Sequence, residues 1–425
     1  MPPDRPAMMA IGDSMYQGVR SLSFTASLGR YSPPAQVAGS LGVPFLTPNP
    51  RLPFLFDLEQ MIRQGVVHLA LAANEIAAAN MQVWLNGDPW SQHAAFDNIA
   101  VGGAEISSLW DDTYAEYWPK IPGLLARIKA SSVPDFTTIW ALWYALNVCF
   151  TLNPQHLPAQ ADKTQLDQVM ERQPKLLLVN IGSNEGLFDA GFLGDLSDAV
   201  FASVRNIPEK IGPVAQRLAG LPDDTIIAFN SLVRPRCASN LMPSADDNSS
   251  PGDGYFSAYG PRLLSTQQDI AGSRLQAFDE LTADVNAQVE ALLKQTLGTK
   301  LRWVDLYASS TDFDGKHYQD RAVVAHPNGV THPLRNVPLF CPFGHLFMGG
   351  LTGIDNMHPS VVGYALIADA VLAALGRPER IDKDAAFLND TLLTDLPANL
   401  PIVQAGLAAI GSLATFKMTG AAPSA

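Results

Sequence analysis

Met8-Met9-Ala10-Ile11-Gly12-Asp13-Ser14-Met15-Tyr16-Gln17-Gly18 is the stretch on which the fold turns. Four apolar residues run into Gly-Asp-Ser, the pattern of a short strand buried on both faces with a tight exit that carries a hydroxyl. Gly-Asp-Ser alone is ordinary turn chemistry, so the serine takes its meaning from what the rest of the chain sets beside it. Four further apolar runs have the same form: FDNIAVGGAE at 96–105, KLLLVNIGSNE at 175–185, DTIIAFNSL at 224–232 and LRWVDLYA at 301–308.

Helical patterns lie between and after these runs. Pro33 to Gly42 has prolines at a helix start and a glycine at its end. Leu275, Phe278, Leu281, Val285, Val289 and Leu292 recur at spacings of three and four and stop at Gly298. Ser360 to Leu375 is helical by period and is closed by Gly376 and Pro378. Strand and helix in alternation predict an α/β fold, a central parallel sheet covered by helices on both sides. Such sheets bind ligands beyond the carboxyl ends of their strands. Chemistry is therefore expected at Gly12-Asp13-Ser14, Gly102-Gly103-Ala104 and Gly182-Ser183-Asn184-Glu185.

The bulk composition narrows the function. The 425 residues are 47% hydrophobic and 16% charged, which suits a single domain with a large core. A formal net charge of -13 argues against nucleic acid as a partner. Cys149, Cys237 and Cys341 are isolated and odd in number, so neither a disulfide framework nor a metal site is implied. The first residues lack the succession of a secretory signal, which suits a cytosolic chain or the mature form of a secreted one. Residues 401–416 are weakly polar but fall short of the ~20 residues of a bilayer span, and read as a packed or surface-seeking tail. Asn240 to Pro261, rich in Ser, Asp, Gly and Pro, is expected to be a long surface loop, and His326 to Gly353 an irregular apolar segment that lines or covers a cleft.

Gly353-Ile354-Asp355-Asn356-Met357-His358-Pro359 supplies the missing context. An Asp three residues before a His can turn back to one ring nitrogen and leave the other free to take a proton. A serine at the exit of a central strand completes a nucleophilic triad. Gly12-Asp13-Ser14, Gly103, Gly182-x-Asn184-Glu185 and Asp355-x-x-His358-Pro359 stand in the order of the four blocks of the SGNH, or GDSL, hydrolases, and the chain resembles that family.

The resemblance implies a flavodoxin-like three-layer α/β/α sandwich with large insertions, and a serine esterase or lipase that needs neither metal nor organic cofactor. Ser14 would be the nucleophile, His358 the base and Asp355 its orienting acid. The N–H groups of Ser14 and Gly103 and the side-chain amide of Asn184 would form the oxyanion hole. Gly102 is the alternative to Gly103. Met15 stands where the family commonly has Leu, and Glu185 where it has Asp; neither departure removes a catalytic group. Long gaps between blocks mark insertions at about 43–92, 111–170 and 236–272, expected to form substrate walls or a lid, and a C-terminal extension at about 380–425.

Trp84, Trp90, Trp110, Trp118, Trp140 and Trp143, with Tyr114, Tyr117 and Tyr144, cluster between the first and third blocks as core or as a substrate wall. Ser40 lies at the end of a helical pattern and is set aside as a nucleophile. Asp312-Phe313-Asp314-Gly315 lacks the later ligands of a calcium loop and reads as a turn. The expected substrate is a lipid or other small ester with a short or medium lipophilic chain. Carbohydrate O-acetyl esters, and acyl transfer by the same triad, are the alternatives.

Overall fold

The computed structural model describes residues 5–394, except 56, 64–68, 87–88, 131–135, 245–250, 262–268, 319–320 and 339–348. Four of the five apolar runs form a parallel sheet: β1 (Met8–Gly12), β2 (Leu176–Asn180), β3 (Ile226–Asn230) and β4 (Leu301–Val304), hydrogen-bonded in the order β1-β2-β3-β4. The fifth run lies along the other edge of β1. Ala10 N donates to Asp97 O, Ile99 N to Ala10 O and Val101 N to Gly12 O, each at 2.9 Å. Ala10 and Asn98 make one parallel bridge there, so the segment 97–101 extends the sheet without forming a full strand.

The helices that matter for the site are α1 (Ser14–Gln17), α2 (Pro33–Leu41), α3 (Phe136–Leu152), α4 (Gln165–Arg172), α5 (Ile207–Ala219), α6 (Gly272–Leu297) and α7 (Val361–Ala374). Alternation along the strands sends neighbouring side chains to opposite faces. Met9, Ile11, Leu177, Val179, Ile227 and Phe229 join the core formed with α3, α4, α5 and α6. Met8, Ala10, Leu178, Ala228 and Val304 pack instead with Val37 and Ala38 of α2 and Tyr364, Ile367 and Val371 of α7. Helices thus cover both faces, which is why the strands read as unbroken apolar runs.

One expectation changes. Asn240 to Pro261 is not loop throughout: Leu241–Pro243 and Ala258–Pro261 pair antiparallel, and Ile270–Ala271 adds a third short strand. Strands of three and four residues are too short to show a period. Of the two readings of the aromatic cluster the structure favours core, because Trp84, Trp90 and Trp143 are buried, Trp84 packs edge-on against Trp90 and Phe150, and Trp90 stacks on Phe150. Trp140 is the exception, 38% exposed and stacked on Trp143. Cys149 and Cys237 are buried free thiols. Cys341, His345 and the tail at 401–416 lie outside the described residues. Among the described residues no helix is long and apolar enough to cross a membrane.

Candidate active site

The strand exits bring the site together. β1 ends at Gly12, whose φ is 132°. A Cβ there would stand 1.7 Å from Asn180 O, so only glycine lets β1 and β2 end side by side. Asp13 then caps α1 by accepting from Met15 N at 3.1 Å, which places Ser14 at the first helical position. The same carboxyl oxygen accepts from Asn180 Nδ2 at 2.8 Å; Asn230 Nδ2 donates to Asn180 Oδ1 at 2.9 Å, and Tyr16 OH donates to Asn230 Oδ1 at 3.0 Å. This buried chain locks the ends of β1, β2 and β3 to the nucleophile's turn.

Ser360 caps α7 by accepting from Gly363 N at 3.1 Å, and the loop just before it carries Asp355 and His358. His358 Nε2 lies 3.0 Å from Ser14 Oγ, and His358 Nδ1 lies 2.7 Å from Asp355 Oδ2. A carboxylate only accepts, so Nδ1 carries the proton and Nε2 faces the serine as an acceptor. Asp355 Oδ1 takes the N–H groups of Met357 at 3.1 Å and His358 at 3.0 Å, and Oδ2 takes that of Leu22 at 2.8 Å. Burial works against ionisation of Asp355, but the charge of His358 and its hydrogen bond, with the Met357 and Leu22 N–H groups, hold the carboxyl below its ordinary range. Asp13 goes the other way. Burial pushes it up to about 6 despite its donors, and its Oδ2 is buried without a partner.

Gly103 and Asn184 stand at the two neighbouring exits. Gly103 has a φ of 85°, and a Cβ there would meet the Tyr144 ring at 3.0 Å. Gly102 N donates to Gln17 Oε1 at 3.0 Å, so of the two glycines Gly102 has its N–H engaged within the protein. Among the described residues neither the Ser14 N–H nor the Gly103 N–H has an acceptor. Asn184 Nδ2 donates to Ala104 O at 2.8 Å, and Ile106 N donates to Glu185 Oε1 at 3.0 Å. Glu185 also pairs with Lys210 of α5, so its carboxylate ties the loop after β2 both to the 102–106 segment and to that helix.

A cavity of about 150 Å³ opens beside Ser14 and His358. Leu187, Phe188, Val233, Leu306, Leu366 and Ile367 give it a mostly apolar lining, with Asn184 at the reacting end. The lining residues fall at 14–15 and within 183–188, 233–239, 306–313, 336 and 351–367. Among the described residues, lining from the three insertions comes from the start of 236–272, and 43–92 and 111–170 contribute no lining residue. Trp140 and Tyr144 lie beside Gly103, and Trp140 stacks on the cavity-lining Phe188, with ring centroids 6.2 Å apart. Residues 336 and 351–352 of the irregular segment do line the cavity, and 339–348 fall outside the described residues.

A second Asp-x-x-His pair went unmarked in the sequence. Asp314 Oδ2 lies 2.8 Å from His317 Nδ1, but His317 Nε2 faces the Tyr259 hydroxyl at 2.6 Å and all three are buried. It supports the cavity wall: Lys316 Nζ donates to Arg236 O at 2.8 Å and to Ala238 O, and Asn336 Nδ2 donates to Cys237 O at 2.9 Å. These side chains satisfy the carbonyls of a wall that has no sheet to do so. No family model matches the chain, and no curated protein is significantly similar to it. The reading of the site therefore rests on its geometry.

Proposed function

We propose that the chain is a serine hydrolase of carboxylic esters, acting through an acyl-serine intermediate. The hydrogen-bonded run Ser14, His358, Asp355 at the mouth of an apolar cavity carries the proposal. His358 Nε2 takes the proton as Ser14 Oγ attacks the ester carbon, and Asp355 holds the imidazole in the tautomer that can accept it. The charge developing on the carbonyl oxygen is met by the Ser14 and Gly103 N–H groups and the Asn184 amide, each fixed donor worth roughly 3 to 4 kcal/mol of barrier. His358 returns the proton to the leaving alcohol, and water then attacks the acyl-enzyme with the same base.

The sheet supports the family resemblance. Counting the segment 97–101, the strands follow the order 2-1-3-4-5 of the flavodoxin-like arrangement, whose ligands bind beyond the strand ends. That order, with helices on both faces, fits the three-layer SGNH hydrolase fold. The apolar lining favours a lipophilic chain on the ester over an acetyl group on a sugar.

An organophosphonate is expected to label Ser14 and no other serine, and Ser14→Ala is expected to abolish turnover of chromogenic acyl esters without unfolding the protein. Medium chains are expected to be cleaved faster than acetyl. Labelling elsewhere, or no labelling, overturns the hydrolase reading; a preference for acetyl esters overturns only the choice of substrate. Products formed with added alcohols separate hydrolysis from acyl transfer.

A further inference from the structure

Ser21 and Leu22 both stand at positive φ, 52° and 54°. Arg20 N donates to Ser23 O at 3.0 Å and Ser23 N to Arg20 O at 2.8 Å, closing a two-residue hairpin turn. Asn-Gly is the usual occupant of such a turn; a Cβ at both central positions strains it. Strain of this kind persists only where the surroundings over-determine the backbone.

The surroundings are a buried ionic cluster. Arg20 Nε and Nη2 donate to the two oxygens of Glu59 at 2.8 and 2.9 Å, and Nη1 donates to Asp390 Oδ1 at 2.7 Å. Ser21 Oγ donates to Glu59 Oε1 at 2.7 Å and accepts from Ile354 N at 3.0 Å. Asp390 Oδ2 accepts from Val361 N, the first residue of α7, at 2.8 Å. Arg20, Ser21, Glu59 and Asp390 are all buried.

The turn delivers one group to the site. Of the donors to the Asp355 carboxylate, those of Met357 and His358 belong to the same loop and move with it. Among the described residues, the Leu22 N–H alone ties the carboxylate to the segment that bears Ser14. We infer that Arg20, Glu59 and Asp390 are positioning residues, which hold the strained Ser21-Leu22 turn so that its N–H fixes Asp355 in register with the nucleophile. Glu59 lies in the insertion at 43–92 and Asp390 in the C-terminal extension, so both regions serve the reaction by clamping the triad. The inference rests on the hydrolase reading above.

Glu59→Gln keeps the shape of the side chain and removes its charge. It is expected to lower kcat roughly ten- to a hundredfold with little change in KM, as a small displacement of the base does. The acid limb of kcat/KM is expected to move to higher pH, because Asp355 loses a donor that holds its carboxyl low. The substitution also takes from Arg20 one of its two charge partners and from Asp390 a like charge, whereas His358 and Tyr364, which act on the Asp355 side of the region, keep their own groups unchanged. Asp390→Asn is expected to act alike, and the double variant to lose little more than the worse single one, since the cluster works as a unit.

Rates are taken per active site, counted by phosphonate labelling. A folded Glu59→Gln protein with a lower melting temperature but an unchanged kcat and acid limb overturns the inference and makes the cluster plain scaffold. Where Glu59→Gln does not fold, Ser21→Ala, which removes one hydroxyl, carries the same test with the same two outcomes. Absence of labelling at Ser14 in the unaltered protein is a different result, and overturns the hydrolase reading instead.

Discussion

Asn184 already uses one of its two amide hydrogens on Ala104 O, at 2.8 Å. The amide has a second hydrogen and Asn184 lines the cavity, so under the proposed mechanism the anchor and the oxyanion donor are one group. Asn184→Ala is therefore expected to lower kcat by roughly 10²- to 10³-fold with KM little changed, the pattern of a contact made in the transition state. A normal kcat with a lower melting temperature removes Asn184 from the chemistry and leaves it a loop anchor. Residue identity was legible here because the proposed chemistry demands particular atoms: a hydroxyl and an amide at strand exits, and an imidazole and a carboxylate in the loop before α7. The choice between Gly102 and Gly103 was not. What favours Gly103 is the bond that engages the Gly102 N–H with Gln17, 85 residues away in the chain, and no local pattern announces such a bond.

At the scale of elements, the exit of β1 and the helix α2 make a pair of opposite tests on glycine. A Cβ on Gly12 would stand 1.7 Å from a backbone oxygen of β2, at a φ of 132°. Gly12→Ala is expected to prevent the β1–β2 register and yield little folded protein. Gly39, exposed within α2, has nothing within 4 Å of its Cβ position. Gly39→Ala is expected to raise stability by about 0.5–1 kcal/mol through helix propensity alone. Melting curves of the two variants check both; equal effects would mean that the strand exit tolerates a side chain. The central strands and the helices α2, α6 and α7 were legible because burial on both faces, a 3.6-residue period and end signals each leave a mark in the sequence. The short strands near residues 241–271 leave none. Nor does the use of Arg20 and Glu59, which can be read only once distant segments are folded together.

The whole molecule inherits a pH dependence from the residue before the nucleophile. Asp13 is wholly buried at the junction of three strand ends, and burial raises its carboxyl from the ordinary 3.8 to about 6. The folded protein thus binds this proton more tightly than the unfolded chain does. Its stabilising contribution is complete below the ordinary carboxylate range and is lost as pH rises through about 6. The loss amounts to something on the order of 3 kcal/mol by neutral pH. Asp355 has the opposite sign: its carboxyl is held low, so its contribution is present at neutral pH and lost in acid. Replacing Asp13 by Asn separates the two. The amide oxygen can still accept from Met15 N and keep the cap, no ionisation remains at that position, and Asp355 is untouched. Asp13→Asn is expected to gain stability relative to the unaltered protein between about pH 4 and pH 7, and to hold that gain above it. Denaturant unfolding of both proteins across this range measures the difference directly, and curves that stay parallel would mean that Asp13 ionises in the fold as easily as in the open chain.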